Sequence, residues 1–582
     1  MSDHLAGRAS PEPVVRLIPQ LADFAAGQYG DRPYLLRHTP RGWQGYSFSQ
    51  AARAMHAFTA LLEREGVRPR DRVALQSENR PEWGLAYLAI LEAGAIVVPL
   101  DAQLKAQEVG EILATSGARF AITSARHRGT VEAARDARGL TIRMLSLDES
   151  ADLPHWDEAQ RLYPAETARP ARAEPSDLAV IIFTSGTTGQ AKGVMLSHSN
   201  ILTNVEGVAH TIECGPHDRL LSILPLHHTF ESTIGLLSPL RMGAGIAYAR
   251  GLDSKQLRED MATSDATVFV AVPLLYEKLL SAIHRGIDAL PAPRRMLVRA
   301  LLAISTGLRR MTGMRLGRTL LRAVRQKAGL GRIRMFATGA APLPPEVFWG
   351  FVDIGIPMVE GYGLTETSPV TCINRPRDPN PGAVGWPLMG VDVRIDAPDG
   401  DGNGEIVVRG PNIMLGYYGD PAATHDVLRN GWFHTGDLGR ILPDERVAIT
   451  GRLKNMIATA AGKKIYPEEI EVHLVVSPWV LEVVVMGSKD PRTEREEVHA
   501  HVFPDLDAIE AHAKAAGRTP DAAYIEDLVR KDIDERCELL ASYKRVKRVI
   551  IRDVEFDKTT TGKIKRAGSK LAASSEGVER AG

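Results

Sequence analysis

The pattern that most constrains the fold is an alternation of short apolar runs with helical patterns, over residues 1 to about 170 and again from 178 to about 360. Residues 72–76 are predicted as a strand, residues 81–93 as a helix and residues 95–100 as a second strand. Residues 151–176 contain four prolines and are predicted to be a connector. Because strand–helix–strand units join parallel strands, the alternation predicts an α/β fold with doubly wound βαβ sheets.

The pattern changes after Gly382. Residues 391–395 and 405–409 alternate apolar and polar side chains, as antiparallel strands do when one face meets water. We therefore predict a small β-rich subdomain at about 382–450, inside a large N-terminal domain of residues 1–450. Residues 451–582 have strands and helices of their own and are numerous enough for a separate, small α+β domain.

Composition and charge exclude several classes of protein. Apolar residues make up 44% and charged residues 24% of the chain, which is typical of globular proteins. The net charge is zero, so nothing predicts a nucleic-acid partner. Three widely spaced cysteines argue against a disulfide framework or a zinc site and favour a reducing cytoplasm. No signal peptide is visible, and the apolar stretch 83–100, interrupted by Glu92 and Gly94, is predicted to be core.

The segment Phe183–Val194 is rich in glycine, serine and threonine and contains Lys192. It follows an apolar run predicted as a buried strand and precedes Ser197–Asn200, which can cap a helix. Glycines let backbone N–H groups turn toward a phosphate, while hydroxyls and a lysine add donors and positive charge. The segment lacks the ending of a Walker A loop, so it is either a phosphate-binding loop of another kind or an ordinary surface loop.

Further motifs follow along the chain. They are Thr338–Pro342, Glu360–Thr367, Trp432–Gly439, Gly451–Lys454 and Thr561–Ile564. Together with Phe183–Val194, and in this order, they resemble the motifs of the adenylate-forming superfamily, which contains acyl-CoA synthetases, luciferases and peptide-synthetase adenylation domains. The resemblance covers about residues 30–570. It implies attack of a carboxylate on the α-phosphorus of ATP, which gives an acyl-adenylate and pyrophosphate.

The resemblance assigns roles to most of these residues. ATP-binding roles fall on Thr184, Ser185, Gly186, Thr187, Thr188, Gly189, Lys192, Gly339, Ala340, Ala341, Gly361, Tyr362, Gly363, Asp437 and Arg452. The segment with Lys192 would hold the β- and γ-phosphates, and Tyr362 would lie against adenine. Asp437 would accept the ribose hydroxyls, with Arg452 as a second ribose contact.

Catalytic roles are implied for His228, Thr365, Glu366 and Lys563. His228 would border the acyl pocket and Thr365 would bond the α-phosphate. Glu366, with Thr184, would hold Mg²⁺ through hard oxygen ligands. Lys563 would stabilise the charge of the transition state.

Motion of the small domain is also implied by the resemblance. Family members rotate this domain about a residue that matches Lys454, so that Lys563 enters the site for adenylation. In the second orientation, the segment around Ala461 and Gly462 would lie beside the channel for the thiol.

Residues 281–330 carry eleven basic residues and one acid, Asp288, interleaved with apolar residues at nearly helical spacing. A basic amphipathic helix suits an anionic membrane surface, but the same pattern fits a solvated helix that packs its apolar face on the core. Peripheral membrane contact through 281–330 is therefore one of two interpretations.

The acid substrate is predicted to be a long-chain fatty acid, because several segments resemble the long-chain acyl-CoA synthetases. These are 226–231, 272–279, 281–330, 339–346 and 463–469. The predicted partners are ATP, Mg²⁺, coenzyme A and the fatty acid, in the cytoplasm or at the inner face of the membrane. A fatty-acyl-AMP ligase that loads a carrier protein and a non-catalytic nucleotide-binding regulator are the alternatives. The oligomeric state stays open, with a homodimer among the options.

Overall fold

The computed structural model describes residues 3–164, 166–185, 191–458, 464–489 and 496–558, together with Ile564 and Arg566. Two large sheets dominate the fold. The first has the strand order Gly416–Tyr417, Ala191–Ser197, Leu178–Ser185, Ile96–Pro99, Arg72–Gln76, Phe120–Thr123 and Arg143–Ser146. The five strands from Leu178–Ser185 onward are parallel, and the first two form an antiparallel edge.

The second sheet has nine strands. Their order is Trp386–Pro387, Val370–Ile373, Met358–Gly363, Met335–Thr338, Val268–Ala271, Arg219–Ser222, Gly245–Tyr248, Pro33–Thr39 and Gly42–Ser47. The six strands from Met358–Gly363 to Pro33–Thr39 are parallel. In both sheets the chain adds strands on both sides of its starting strand, so the predicted doubly wound α/β class is confirmed.

A third sheet is antiparallel throughout. It contains His4–Leu5, Asp392–Asp396, Gly404–Arg409, Trp432–Ile441, Leu428–Arg429 and Val447–Arg452. The β-rich character expected for 382–450 is therefore present, although one strand comes from the start of the chain and Trp386–Pro387 joins the second sheet. The C-terminal part has the sheet Val480–Lys489, Glu496–Pro504, Arg548–Ile551 and the pair Ile457–Ala458, Lys464–Ile465.

Helices cover the sheets and connect their strands. The α-helices are Gln20–Tyr29, Phe48–Arg64, Pro81–Glu92, Ala106–Ser116, Ala125–Ala137, Trp156–Leu162, His198–Thr211, Ser238–Met242, Ser254–Thr263, Pro273–Asp288, Ala292–Thr312, Gly317–Leu320, Arg322–Lys327, Pro345–Ile354, Pro421–Val427, Pro467–Leu474, Leu506–Ala515 and Ala522–Cys537. A π-helix spans Glu231–Leu237, and short 3₁₀ turns span Thr365–Thr367, Leu453–Asn455 and Ser542–Lys544.

The main core lies where helices Phe48–Arg64 and Pro81–Glu92 meet apolar side chains from both large sheets. Every residue of Pro81–Glu92 is buried, which confirms that the stretch 83–100 belongs to the core. Among the described residues, none of the helices combines the length and the apolar composition that a membrane span requires.

The connector predicted for 151–176 is partly wrong, because Trp156–Leu162 is a helix. None of the four prolines falls inside the helix, and the first residue of the helix, Trp156, is buried in the core. The Trp156 ring packs on Phe58 with 4.8 Å between centroids, and its indole N–H donates to the Tyr46 hydroxyl. Burial of one large aromatic side chain is enough to hold two turns of helix against the domain.

Candidate active site

Most of the predicted site residues that the structure describes lie where parallel strands end. Met335–Thr338 and Met358–Gly363 are adjacent and in register, with Thr338 opposite Glu360. Arg219–Ser222 of the same sheet leads directly into the segment with His228. Ligand sites of open α/β sheets lie at the carboxyl ends of strands, and these segments share that edge.

The described residues of the glycine-rich segment belong to two paired antiparallel strands, Leu178–Ser185 and Ala191–Ser197, which we call the hairpin. Leu178–Ser185 pairs with Ala191–Ser197, and Thr184 lies opposite Lys192 in the register. The second strand was missed because its glycine and lysine look like loop composition. Ser197 then caps helix His198–Thr211 by accepting from the Asn200 N–H, as the sequence predicted.

Several predicted residues lie outside the described part of the chain. They are Gly186, Thr187, Thr188, Gly189, Ala461, Gly462 and Lys563. For Ser185 only the backbone is described. The roles assigned to these residues stay predictions.

Tyr417 connects the hairpin to the predicted metal ligand. The Lys192 ammonium lies 4.9 Å from the centroid of the Tyr417 ring, and the Tyr417 hydroxyl donates to Glu366 Oε1 at 2.9 Å. Burial raises the pKa of the Tyr417 hydroxyl, and the nearby Glu366 raises it further, so the phenol keeps its proton. Sequence reasoning missed Tyr417 because its role depends on two residues more than fifty positions away.

Thr365 and Glu366 lie in the 3₁₀ turn that follows strand Met358–Gly363. The Thr367 hydroxyl donates to the Pro369 carbonyl, and the Leu364 N–H donates to the Thr367 hydroxyl, so the turn is fixed at its end. Glu366 is half-buried and uses only Oε1 in its hydrogen bond to Tyr417 among the described residues. A carboxylate with one oxygen available, close to hydroxyl groups, is a donor set that suits Mg²⁺.

Small residues let the ends of two adjacent strands of the second sheet approach each other closely. A Cβ added at Gly339 would lie 3.1 Å from the Gly361 carbonyl oxygen and 3.5 Å from the Phe230 ring. Ala340 has a φ of +71°, which directs the chain away from the sheet. The segment Gly339–Ala341 and the segment Gly361–Gly363 thus lie side by side, as an adenine pocket requires.

Asp437 is the centre of a buried polar cluster. It is 4% exposed, accepts from the Tyr362 hydroxyl at 2.8 Å and pairs with Arg452 Nε at 2.6 Å. Asp437 and Arg452 face each other on paired strands, so the backbone register fixes the ion pair. Tyr362 therefore contacts the predicted ribose-binding carboxylate through its hydroxyl while its ring remains beside Gly361 and Gly363.

His228 is held in a folded segment between strand Arg219–Ser222 and the π-helix. The Asn79 side chain fixes this segment, since it donates to the Leu224 carbonyl at 2.6 Å and accepts from the Leu226 N–H at 3.1 Å. Burial and, to a smaller extent, the neighbouring His227 lower the pKa of His228 to about 3, against an opposing effect of Asp101. The imidazole is therefore neutral at physiological pH.

Two buried glutamates near the same sheet edge were not predicted. Burial raises the pKa of Glu231 and of Glu360 to about 8 in each case. Glu231 accepts from the Ser222 hydroxyl at 2.6 Å, and it lies within the π-helix where Gly235 makes room for the carboxyl group. Both lie in segments noted in the sequence, 226–231 and Glu360–Thr367, but neither was given a role, because burial cannot be read from composition.

The predicted hinge residue, Lys454, lies in the 3₁₀ turn between the third sheet and the C-terminal part. Burial lowers the pKa of Lys454, and Arg452 and Arg566 lower it further. The next residue, Asn455, donates to Glu468 Oε1 at 2.6 Å, and Arg566 binds the Glu471 carboxylate. The hinge is thus surrounded by charged residues from both parts of the chain.

The basic segment 281–330 forms the last half of helix Pro273–Asp288, helix Ala292–Thr312 and two short helices. One face of Ala292–Thr312 packs on the domain, where Arg309 pairs with Asp353 at 2.5 Å and stacks on Trp349. The opposite face exposes apolar side chains. They are Met296 at 71%, Leu297 at 60%, Ile304 at 50% and Met311 at 85%.

Residues 22–418 match the family pattern described as AMP-binding enzyme. The chain belongs to the AMP-binding enzyme family. The resemblance to adenylate-forming enzymes is therefore confirmed, and so is the expectation of ATP, Mg²⁺ and coenzyme A as ligands.

The names of two relatives refer to different acids, a long-chain fatty acid and ferulic acid. The chain is 30% identical over 569 residues to a long-chain-fatty-acid–CoA ligase, FadD15, of Mycobacterium tuberculosis, which covers 92% of both chains. It is 31% identical over 458 residues to a feruloyl-CoA synthase of Amycolatopsis, which covers 78% of this chain and 82% of the relative.

Solved structures share the fold across most of the chain. ATP-bound MatB of Rhodopseudomonas palustris has a TM-score of 0.71 at 27% identity and covers 94% of this chain and 97% of its own. An anthranilate CoA ligase, AuaEII, with bound anthranoyl-AMP has a TM-score of 0.76 at 21% identity, with 95% and 96% covered. The described site residues thus belong to a fold that accepts adenine nucleotides in other proteins.

Proposed function

We propose that this protein is an acid–thiol ligase that activates a long-chain fatty acid as an acyl-adenylate and transfers the acyl group to coenzyme A. The proposal rests on two sets of contacts. In one, Tyr417 contacts both Lys192 and Glu366, and in the other Asp437 contacts both Tyr362 and Arg452. These residues come from five separate segments and include the predicted leaving-group cation, metal ligand and ribose acceptor.

The chemistry requires two anions to react. The fatty-acid carboxylate attacks the α-phosphorus, and the bond to the β-phosphate breaks, so that pyrophosphate leaves with the electron pair. Lys192 neutralises charge on the leaving group, while Asp437 and Tyr362 hold the nucleoside in line with the attacking oxygen. Mg²⁺, held by Glu366 and Thr184, would supply further charge neutralisation at the phosphate oxygens.

His228 contributes as a neutral group. A protonated imidazole beside the carboxylate would bind the substrate oxygen as an ion pair and weaken its attack. Because the pKa of His228 is about 3, the side chain lines the acyl pocket without this cost. In the second half-reaction the thiolate sulfur of coenzyme A attacks the acyl carbon, and AMP departs.

The preference for a long-chain acid rests on the relative of Mycobacterium tuberculosis, which aligns with 92% of this chain. The feruloyl-CoA synthase, at similar identity, makes an aromatic acid the second candidate. Pyrophosphate release is to be measured with ATP, Mg²⁺ and fatty acids of graded length, and with ferulate and benzoate, each with and without coenzyme A. The long-chain proposal fails if aromatic acids give the higher kcat/KM.

The same assay addresses the acceptor. A coenzyme A ligase releases acyl-CoA and turns over repeatedly only when the thiol is present. A fatty-acyl-AMP ligase would accumulate the adenylate whether or not the thiol is added. A nucleotide-binding regulator would bind ATP and release no pyrophosphate with any acid.

We also propose that helix Ala292–Thr312 contacts an anionic lipid surface, where an insoluble acid would be collected. Its exposed face combines Met296, Leu297, Ile304 and Met311 with arginines at positions such as Arg294 and Arg310. Arg299, Arg309 and Arg325 contact groups of the protein itself. The side chains of Arg294 and Arg310 are exposed. Apolar residues flanked by arginine are the composition that such surfaces bind.

Cosedimentation with vesicles of anionic or neutral lipid tests this contact. The double variant Arg294→Glu and Arg310→Glu should lose binding to anionic vesicles and activity on vesicle-bound acid. Activity on a soluble short acid should not change. The double variant Arg41→Glu and Arg548→Glu is the control, because it makes the same change in charge at exposed positions outside 281–330. It should bind anionic vesicles as the parent protein does. Unchanged binding of the first variant would remove the proposal.

A further inference from the structure

Tyr417 lies between two charged groups that the proposed reaction uses, the Lys192 ammonium and the Glu366 carboxylate. Its ring faces the Lys192 ammonium at 4.9 Å, and its hydroxyl donates to Glu366 Oε1 at 2.9 Å. Tyr417 is only 7% exposed, so its side of both contacts is largely removed from water. Shielding strengthens a cation–π contact and a hydrogen bond to a carboxylate alike.

The backbone holds Tyr417 rigidly. Strand Gly416–Tyr417 pairs with the hairpin strand, with Tyr417 opposite Val194, two residues from Lys192. The Tyr417 N–H donates to the Thr424 hydroxyl at 2.9 Å, and the Tyr418 N–H donates to the Gly193 carbonyl at 2.7 Å. A Cβ at Gly416 would lie 2.7 Å from the Thr424 side chain, so the strand and the following helix fit together closely.

Glu366 is fixed from two directions as a result. Its carbonyl oxygen accepts from the Met414 N–H at 2.9 Å, and its carboxylate accepts from Tyr417. The hydrogen bond occupies Oε1, and among the described residues no hydrogen bond to Oε2 is formed, so Oε2 is the oxygen that a cation would bind. A rotation of the carboxylate would break this bond, so the phenol limits the rotamers of the acid.

We propose that Tyr417 is a positioning residue that couples the metal-binding carboxylate of Glu366 to the leaving-group cation Lys192. The phenol holds the acid and the ammonium apart and prevents them from neutralising each other before Mg²⁺ and ATP arrive. This inference rests on the roles proposed above for Lys192 and Glu366. It predicts that the hydroxyl of Tyr417 affects the affinity for Mg²⁺ and that the ring affects the binding of the ATP phosphates.

Tyr417→Phe removes the hydroxyl and keeps the ring. We expect the Mg²⁺ concentration for half-maximal pyrophosphate release to rise about tenfold, because a hydrogen bond to a charged group is lost. The KM for the acid should stay the same. Tyr417→Leu also removes the ring and should in addition raise the KM for ATP.

Calorimetric titration gives a second measurement that does not depend on turnover. ATP is titrated into the protein with and without Mg²⁺, and the gain in affinity due to the metal is compared between variants. Tyr417→Phe should lose most of this gain. In a Glu366→Gln background, the same substitution should have no further effect, because the carboxylate that it orients is already neutral.

Tyr418→Phe is the matched control. Its hydroxyl donates to the Ser116 carbonyl at 3.3 Å, away from the hairpin, so loss of that group should leave both measurements unchanged. If Tyr417→Phe lowers the melting temperature but not the metal-dependent gain in ATP affinity, Tyr417 is merely structural and the inference is overturned. If the parent protein releases no pyrophosphate with any acid, the proposed function fails while the titration still decides the role of Tyr417.

Discussion

The charge state of His228 determines how the reaction rate should depend on pH. Burial and His227 lower its pKa to about 3, so the imidazole is neutral throughout the range from pH 5 to 8. His228→Ala should slow pyrophosphate release roughly 10²-fold through misplacement of the acid. The ratio of parent to variant rates should stay constant over that pH range. A ratio that falls below pH 6.5 would show that His228 is a cation in the working enzyme.

Asp437 should affect ATP binding and stability together. Asp437→Asn removes the charge that Arg452 pairs with and weakens the acceptor for the Tyr362 hydroxyl. We expect a loss of about 1–3 kcal/mol in the free energy of unfolding and a raised KM for ATP. Asp444→Asn is the control, because its pair with Arg446 is more exposed at the carboxylate and should change neither quantity by much.

For single residues, the sequence was sufficient where the residue belongs to a strong motif. It was not sufficient where the role of a residue depends on contacts with distant parts of the chain. Asp437 and Arg452 were predicted from motifs, and the structure places them in one ion pair. Tyr417 was missed, and Glu231 and Glu360 were given no role although they lie in segments that the sequence analysis named. Their importance depends on burial and on partners that are remote in the chain, and neither can be read from local composition.

The π-helix Glu231–Leu237 makes an element-scale prediction about pH. The pKa of Glu231 is about 8 in the folded chain and near 4.5 when unfolded, so the folded state binds the extra proton between these values. Its contribution to stability is present below about pH 4.5 and is lost as the pH rises through about 8. Glu231→Gln should therefore gain stability relative to the parent as the pH rises.

Urea unfolding at pH 5, 7 and 9 measures this difference. Glu360 has a pKa raised in the same way, so the single variant should retain part of the pH dependence and the double variant Glu231→Gln, Glu360→Gln should lose more of it. Equal changes in parent and variant across the three pH values would show that Glu231 is not the titrating group.

Elements with regular patterns were predicted closely. The strand predicted at 72–76 is Arg72–Gln76, and the helix predicted at 81–93 is Pro81–Glu92. Strand Ala191–Ser197 and helix Trp156–Leu162 were missed, because each lies in a segment with the composition of a loop. The strand forms because it pairs with Leu178–Ser185, and the helix is held by the contact of Trp156 with the core. Both are interactions between segments that are apart in the chain.

The predicted division into two domains implies different effects on the two half-reactions. Lys563 falls within 451–582, the predicted C-terminal domain, and is expected to act only in adenylation. Lys563→Ala should slow acyl-adenylate formation by about 10²–10³-fold, since one charge-stabilising contact is lost. Transfer from supplied acyl-adenylate to coenzyme A should continue at the parent rate. Equal losses in both steps would contradict the proposed domain rotation, and unchanged ATP-dependent function would support a regulator.

The division at residue 450 and the motion of the small domain stay predictions. The sequence indicated the change to antiparallel strands after 382, and the third sheet contains those strands. It did not indicate that His4–Leu5 would join them, because a two-residue strand carries no periodic signal.

That short strand has a consequence for how the chain folds during synthesis. His4–Leu5 pairs with Val393 and Arg394, and the Gly7 N–H donates to the Asp392 carboxylate. A ribosome adds roughly 5–20 residues per second, so the partner strand follows His4–Leu5 by about 20–80 seconds. For that interval His4–Leu5 has no strand to pair with. A bulky fusion placed directly before His4 would then compete with the closing of this sheet long after the first helices have formed.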